Sequence, residues 1–475
     1  MNSIKKNFLF NASYQLLNIL LPLVTAPYIA RTLGAVGLGE YTYTFTLASY
    51  FQMFAILGFA FHGNRQIAKN RDDRQKRSQA FFEIFTFQVL ISSFVAFVYV
   101  LYVVLLADPV HRKLLLVQIF YVLSAMLDVS WLYFGMENFK ATTIRNFAVK
   151  LLTLAGIFTF VKTPDDVHLY AVIMAGGTLI SQLILWCGVP KIVDVKKEYC
   201  RLKLEHLVRS FILFVPMIAV SVYSMMDKLM LGGLAGMEQL AFYENAHKII
   251  SAPICLITAF EAVMLPRMIN LASKGERESA DKLIEESFSL VGMVAAPMTV
   301  GMVVIANRLT LLLFGEDFSA SGGIMTILAV TIPLVSWAGV IRKEILIPGN
   351  QDKTYIISVF VGAGVNLVLN AVLIPVIGAV GAAWGTVMAE VSVCVYQSAK
   401  TWKSHPYKKY LRDNFLFVVA ALIMGLCVCT LDRLLPANAL CLVGIIIVGI
   451  AVYFVLFVAV LKIQKKSIKD SLLWK

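Results

Sequence analysis

Residues 191–209, KIVDVKKEYCRLKLEHLVR, are the longest interruption between apolar segments in this chain. They hold six cations: Lys191, Lys196, Lys197, Arg201, Lys203 and Arg209. About fourteen apolar stretches lie around this interruption, each near the roughly 20 residues that cross a bilayer. Moving outward from it in either direction, every second connection is basic and the connections between are almost free of charge. Lys5 and Lys6 open the basic set. Arg65, Lys69, Arg71, Arg74, Lys76 and Arg77 follow, then Lys140 and Arg145. Beyond the interruption come Arg267, Lys274, Arg277 and Lys282, then Arg342, Lys343 and Lys353. Lys400, Lys403, Lys408, Lys409 and Arg412 precede a basic tail from Lys462 to Lys475. In all, 33 of the 42 Lys and Arg residues belong to this set. The opposite set holds six, Arg31, Arg112, Lys113, Lys162, Arg308 and Arg433. Cations are retained on the cytoplasmic side of membrane proteins, so the pattern predicts both termini in the cytoplasm.

With 59% hydrophobic and only 15% charged residues among 475, the chain cannot cover a soluble surface. The formal charge of +13 is explained by topology and does not point to nucleic acid. It suits a cytoplasmic face resting on anionic lipid headgroups. Lys5 and Lys6 precede a long apolar run with no small-residue cleavage site, so a retained signal anchor is expected. The seven cysteines avoid the charge-poor connections, and no disulfide is expected. The six scattered histidines match no metal-ligand spacing, and neither a metal nor a cofactor is expected. No phosphate-loop motif is present, so ATP hydrolysis by such a loop is excluded.

The predicted fold class is an all-α integral membrane protein with helices at about 8–30, 41–62, 80–106, 114–135, 144–161, 168–189, 208–232, 240–266, 286–306, 322–347, 354–375, 378–399, 415–432 and 440–461. They group as an N-lobe over 1–190, a cytoplasmic linker over 191–207, a C-lobe over 208–400, and a two-helix hairpin with a basic tail over 401–475. Weak internal similarity supports two lobes. The first helix ends at Arg31-Thr32-Leu33-Gly34 and the seventh at Lys228-Leu229-Met230-Leu231-Gly232. Each carries an interior proline, Pro22 and Pro216, as gating candidates with Pro27. Six helices per half allow parallel repeats, an arrangement that transporters use.

Three cations lie inside apolar segments: Lys150, Lys228 and Lys248. A lysine at the bilayer centre costs roughly 2.5–3.5 kcal/mol on insertion scales, so it faces protein or water. Lys150 shares a face with Asn146 and Thr153, and Lys228 with Ser221 and Ser224. Lys248 shares one with Glu244, Ser251, Cys255 and Thr258. Together the three could hold a polyanion such as a pyrophosphate between the lobes; the alternative is local pairing, as of Lys248 with Glu244, or snorkelling. Arg31 joins them as a substrate-binding candidate. Asn11, Gln15 and Asn18 form a polar face on the first helix that either lines a path or bonds to neighbouring helices. The intramembrane acids Asp128, Asp227 and Glu390 are candidates for ion coupling, with Glu83 and Glu261 nearer helix ends. Asn366 and Asn370, amid glycines, read as close helix packing.

Several of these stretches resemble the polysaccharide/oligosaccharide flippase family. They are Pro27-Tyr28-Ile29-Ala30-Arg31-Thr32-Leu33-Gly34, Gly63-Asn64-Arg65-Gln66-Ile67-Ala68, and Asp128-Val129-Ser130-Trp131 through Lys140. Asp227-Lys228, Tyr243-Glu244-Asn245-Ala246-His247-Lys248, Leu265-Pro266-Arg267 and Ala389-Glu390 extend the likeness into the second half. Gly135-Met136 departs from the usual polar residue before the glutamate. The resemblance places the chain in the polysaccharide transporter branch of the multidrug/oligosaccharidyl-lipid/polysaccharide exporter superfamily. It implies a non-enzymatic flippase of the bacterial cytoplasmic membrane that moves undecaprenyl-diphosphate-linked oligosaccharide for capsule, exopolysaccharide or O-antigen-type synthesis by alternating access. A polymerase and other glycan assembly proteins are implied partners. The rivals are a multidrug/cation exporter of the same superfamily, a lipid II flippase, and a membrane glycan polymerase or ligase. An acid in the first helix would favour the exporter, and that helix has none. The exterior connections are too short to hold a catalytic domain.

Overall fold

The computed structural model describes residues 2–200 and 202–463, and within these the side chains of residues 2–23, 197, 215–217, 219–220 and 222–224 are outside the described set. Among the described residues the regular structure is entirely helical. Ten stretches are long and apolar enough to cross a membrane. Two of them each cover two expected spans, Val24–Lys69 and Asp352–Thr401. The helices Pro109–Ser124 and Leu204–Leu234 complete the set, so a helix stands at each of the fourteen expected positions.

Breaks between consecutive spans fall where the backbone can leave the helix. At Gly34 the torsions are φ 70° and ψ 178°, a conformation that a β-carbon opposes. At Ile377-Gly378 the chain turns again, with φ 55° at the glycine, and Gln239 Oε1 accepts the freed Ala379 N–H at 3.1 Å. The fourth span differs from the predicted 114–135. It starts earlier, at Pro109, because Asp108 accepts the Val110 N–H and proline suits a first helical turn. It ends at Ser124, and a turn leads to the short helix Ser130–Gly135.

The chain forms two compact units, Met1–Gly232 and Gly233–Lys475. In the first, Phe59, Phe81, Trp131, Leu132 and Val189 build one buried cluster, and Ala48, Tyr99, Leu115 and Val122 build another. Trp131 lies against Gly63, where an added β-carbon would stand 2.4 Å from the indole. Ion pairs then draw three basic connections to one end of the unit. Arg71 meets Glu137 at 2.7 Å, and Arg74 meets Asp194 at 2.8 Å. Lys203 and His206 both reach the buried Glu83, at 2.7 and 3.0 Å, and His62 bonds to His206 at 2.8 Å. Asp73, capping the helix Arg74–Leu105, has its carboxyl held below the usual range by the Lys76 backbone N–H. The interruption at 191–209 is therefore clamped to the first unit rather than slack. At the other end Tyr28 donates to the Val161 carbonyl at 2.6 Å, and Tyr43 packs on His111.

The second unit repeats this segregation. Lys409 pairs with Glu285 at 2.7 Å at the basic end. At the charge-poor end Arg308 reaches Asp432 at 2.7 Å and the carbonyls of Asp432, Leu435 and Pro436. Both contacts fasten Tyr407–Leu434 to Arg277–Phe314. Asn370 donates to Asn366 at 3.1 Å, both fully buried; the bond lies within Asp352–Thr401, whereas their spacing amid glycines suggests bonds to a neighbouring helix.

Candidate functional site

In the first unit the helix Phe139–Phe160 carries Arg145, Asn146, Lys150 and Thr153. Arg145 is buried and forks between the Asn146 side chain, at 2.6 and 3.0 Å, and the Ser181 carbonyl and Gln182 of the neighbouring helix, at 3.2 and 3.1 Å. That fork fixes the rotation of the helix and so the direction in which Lys150 leaves it. Lys150 is partly exposed, with its Nζ on a long flexible stem. Thr153 turns its hydroxyl back to the Val149 carbonyl at 2.8 Å.

Asp227 and Lys228 are neighbours on Leu204–Leu234 and lie on different faces. Asp227 is buried near Tyr50, and Lys228 is partly exposed. Arg31 is exposed, whereas its neighbours Ile29, Ala30 and Leu33 are buried. The motif around it thus anchors with its apolar residues and presents its cation. Asp128 sits in the turn before Ser130–Gly135, where its carboxylate accepts the Ser130 N–H at 2.9 Å. Pro27 lies within the first helix, partly buried. Asn11, Gln15, Asn18, Pro22 and Pro216 lie outside the described side chains.

In the second unit Lys248 stands 3.3 Å from Glu244, one turn earlier on Met237–Lys274. Glu244 is buried, while a third of the Lys248 side chain stays exposed. The pair is therefore only partly enclosed. Asn245, fully buried beside Glu244, has no hydrogen-bond partner among the described residues. Glu390 is partly buried on Asp352–Thr401, near Cys394.

Two cations of a basic connection, Arg342 and Lys343, meet Glu261, one of the acids near helix ends, in a further polar cluster of this unit. Glu261 is fully buried; Lys343 approaches it at 3.0 Å and Arg342 at 4.0 Å. Lys343 also donates to the Thr258 carbonyl at 3.3 Å. A β-carbon at Gly339 would stand 2.1 Å from Glu261 Oε1, so this glycine makes room for the carboxylate. Arg342, Lys343 and Glu344 belong to a π-helical turn, Ile341–Leu346. Such turns occur within helices at functional positions. The turn carries Glu344 inward to 1% exposure, facing Ser287.

These features define a multi-pass membrane protein, helical throughout its described regular structure, with buried polar groups inside each unit. The solved structure titled "Lipid II flippase MurJ, inward closed conformation" shares its fold with a TM-score of 0.77, at 13% identity, over 97% of this chain and all of that one. The sequence profile described as "Polysaccharide biosynthesis protein" matches residues 4–272, more than half of the chain, and the chain belongs to that family. It is similar to the "Putative O-antigen transporter" of Escherichia coli K12, 23% identical over 359 residues covering 74% of this chain and 86% of the relative. It is also similar to the "Probable low-salt glycan biosynthesis flippase Agl15" of Haloferax volcanii, 26% identical over 170 residues, 35% of each chain.

Proposed function

We propose that this chain is a flippase that carries undecaprenyl-diphosphate-linked oligosaccharide units from the inner to the outer leaflet of a bacterial cytoplasmic membrane, without catalysing a covalent step. The likeness to the putative O-antigen transporter over most of both chains carries the reading. The cations within apolar helices support it, because a pyrophosphate head needs positive partners out of bulk water. Lys150, Lys228, Lys248 and Arg31 are the residues proposed to meet that head, with Asn11, Gln15 and Asn18 along its path. Asp128, Asp227 and Glu390 are proposed for ion coupling, and Pro22, Pro27 and Pro216 for gating. Both termini are proposed to be cytoplasmic, with helices 1–6 and 7–12 as the repeats that alternate access. Product units would feed capsule, exopolysaccharide or O-antigen-type assembly and its polymerase.

The multidrug exporter reading is weaker because the first helix supplies no acid for cation binding. Deleting the gene in its host separates the two. The proposal expects loss of surface polysaccharide and accumulation of its lipid-linked unit on the inner leaflet. Intact surface polysaccharide combined with new sensitivity to cationic drugs would contradict it and favour the exporter.

A further inference from the structure

An apolar groove of about 660 Å³ opens in the second unit, within the 300–1,000 Å³ range of small-molecule sites. Its walls come from Thr331–Val340, the end of Asp352–Thr401 and the start of Tyr407–Leu434. Leu334, Trp337, Val395 and Leu411 supply apolar surface, and Trp402 and Lys403 line it from the turn that ends Asp352–Thr401, which marks one end of the groove.

Two observations select the occupant. The first is the asymmetry of the ends. Trp402 is 46% exposed and stacks on Tyr407 with ring centroids 5.6 Å apart. Trp and Tyr gather where headgroups meet hydrocarbon, which places this end at a membrane interface and the rest at acyl-chain depth. The second is charge. Lys403 and Lys408 are exposed and have no acidic partner among the described residues, whereas nearby Lys409 and Arg412 are matched by Glu285 and Asp413. Lys400 is directed to the Tyr396 ring, with its Nζ 5.6 Å from the centroid. A ligand with a long apolar body and an anionic head fits both ends at once.

We propose that the groove is a specific site for an anionic glycerophospholipid of the leaflet that meets the basic connections, with one acyl chain along Trp337 and Val395 and its phosphate at Lys403. The site lies wholly in the second unit and does not depend on the flippase reading. Occupancy would fix the junction between helices 12 and 13, where the hairpin joins the unit.

Trp337 and Trp402 make the groove measurable, because a brominated acyl chain quenches tryptophan on contact. The full-length protein is reconstituted in phosphatidylcholine containing a small fraction of brominated phosphatidylglycerol or brominated phosphatidylcholine. The quenching that disappears in W337F and W402F reports the groove. Phosphatidylglycerol is expected to occupy it with about a fivefold preference, the factor one lysine at an anionic surface contributes. K403E is expected to abolish the preference, and A399F to block both lipids while the protein stays monodisperse. Equal quenching by the two headgroups, unchanged in K403E, would reduce the groove to ordinary annular contact and overturn the proposal. Displacement by undecaprenyl phosphate but not by unbrominated phosphatidylglycerol would also overturn it, by assigning the groove to the polyprenyl carrier.

Discussion

Lys150 was legible in the sequence because a lysine between Val149 and Leu151 breaks an apolar run. What orients it was not legible: Arg145 reads as one more cation of a basic connection, and only packing shows its guanidinium forked between two helices. Replacing Lys150 by Ala is expected to lower flipping at least tenfold while protein abundance holds, since a lost charged contact is worth about 1.5–3 kcal/mol. Lys150→Arg should retain most activity; equal loss in both variants, with abundance halved, would mark a structural role. Glu344 escaped the sequence reading for a related reason. Directly after Arg342 and Lys343 it counts as part of a basic connection, and the π turn that carries it inward leaves no periodic signal. Gly339 is part of the same arrangement. Gly339→Ala pushes a methyl into the Glu261 carboxylate and is expected to cost about 1–3 kcal/mol through overpacking. A detergent melting curve tests this, and an unchanged midpoint would show that Glu261 swings aside freely.

Helices were the most legible level, because length and charge alternation are one-dimensional signals. Their ends were less so. The fourth span moved toward its N-terminus because Asp108 and Pro109 start a helix before the apolar run begins. The 191–209 connection was legible as basic but not as bound. Its ties to Glu83, Ser78 and Arg77 link residues more than a hundred positions apart. Among the described ion pairs that tie this connection to the rest of the unit, only Arg74–Asp194 is exposed on both sides, worth about 0–1 kcal/mol. The ties to Glu83, Ser78 and Arg77 end on buried groups, so losing one leaves a buried polar group short of a partner. A cysteine placed at Glu198 is expected to react with an impermeant maleimide only after permeabilisation; labelling of intact cells would reverse the topology. The hairpin is held differently, through the buried Arg308 at the charge-poor end. Arg308→Ala strips the partner from Asp432 and three carbonyls and is expected to cost about 3 kcal/mol. Limited proteolysis should then release the last two helices first, and uniform digestion would contradict a local anchor.

At the scale of the whole molecule, each unit, taken by itself, gathers its described basic connections at one of its ends and its charge-poor connections at the other. That arrangement follows from charge alternation alone, and the ion pairs of each unit agree with it. Energy for transport is the level furthest from the sequence. Without a phosphate loop the chain has no such route to ATP. The membrane potential supplies about 2.3 kcal/mol per charge per 100 mV, and a pyrophosphate carries roughly two negative charges outward. The most direct test is reconstitution of the full chain in liposomes with fluorescent undecaprenyl-diphosphate oligosaccharide, followed by a membrane-impermeant quencher. Under an inside-negative potential, with no ATP and no ion gradient, the account predicts chain-dependent movement of the labelled head to the outer leaflet at a rate that rises with voltage. A rate that does not change with voltage yet responds to a pH or Na⁺ step would contradict it and assign the drive to ion coupling at Asp128, Asp227 or Glu390; a rate equal to that of protein-free liposomes under every condition would contradict transport itself.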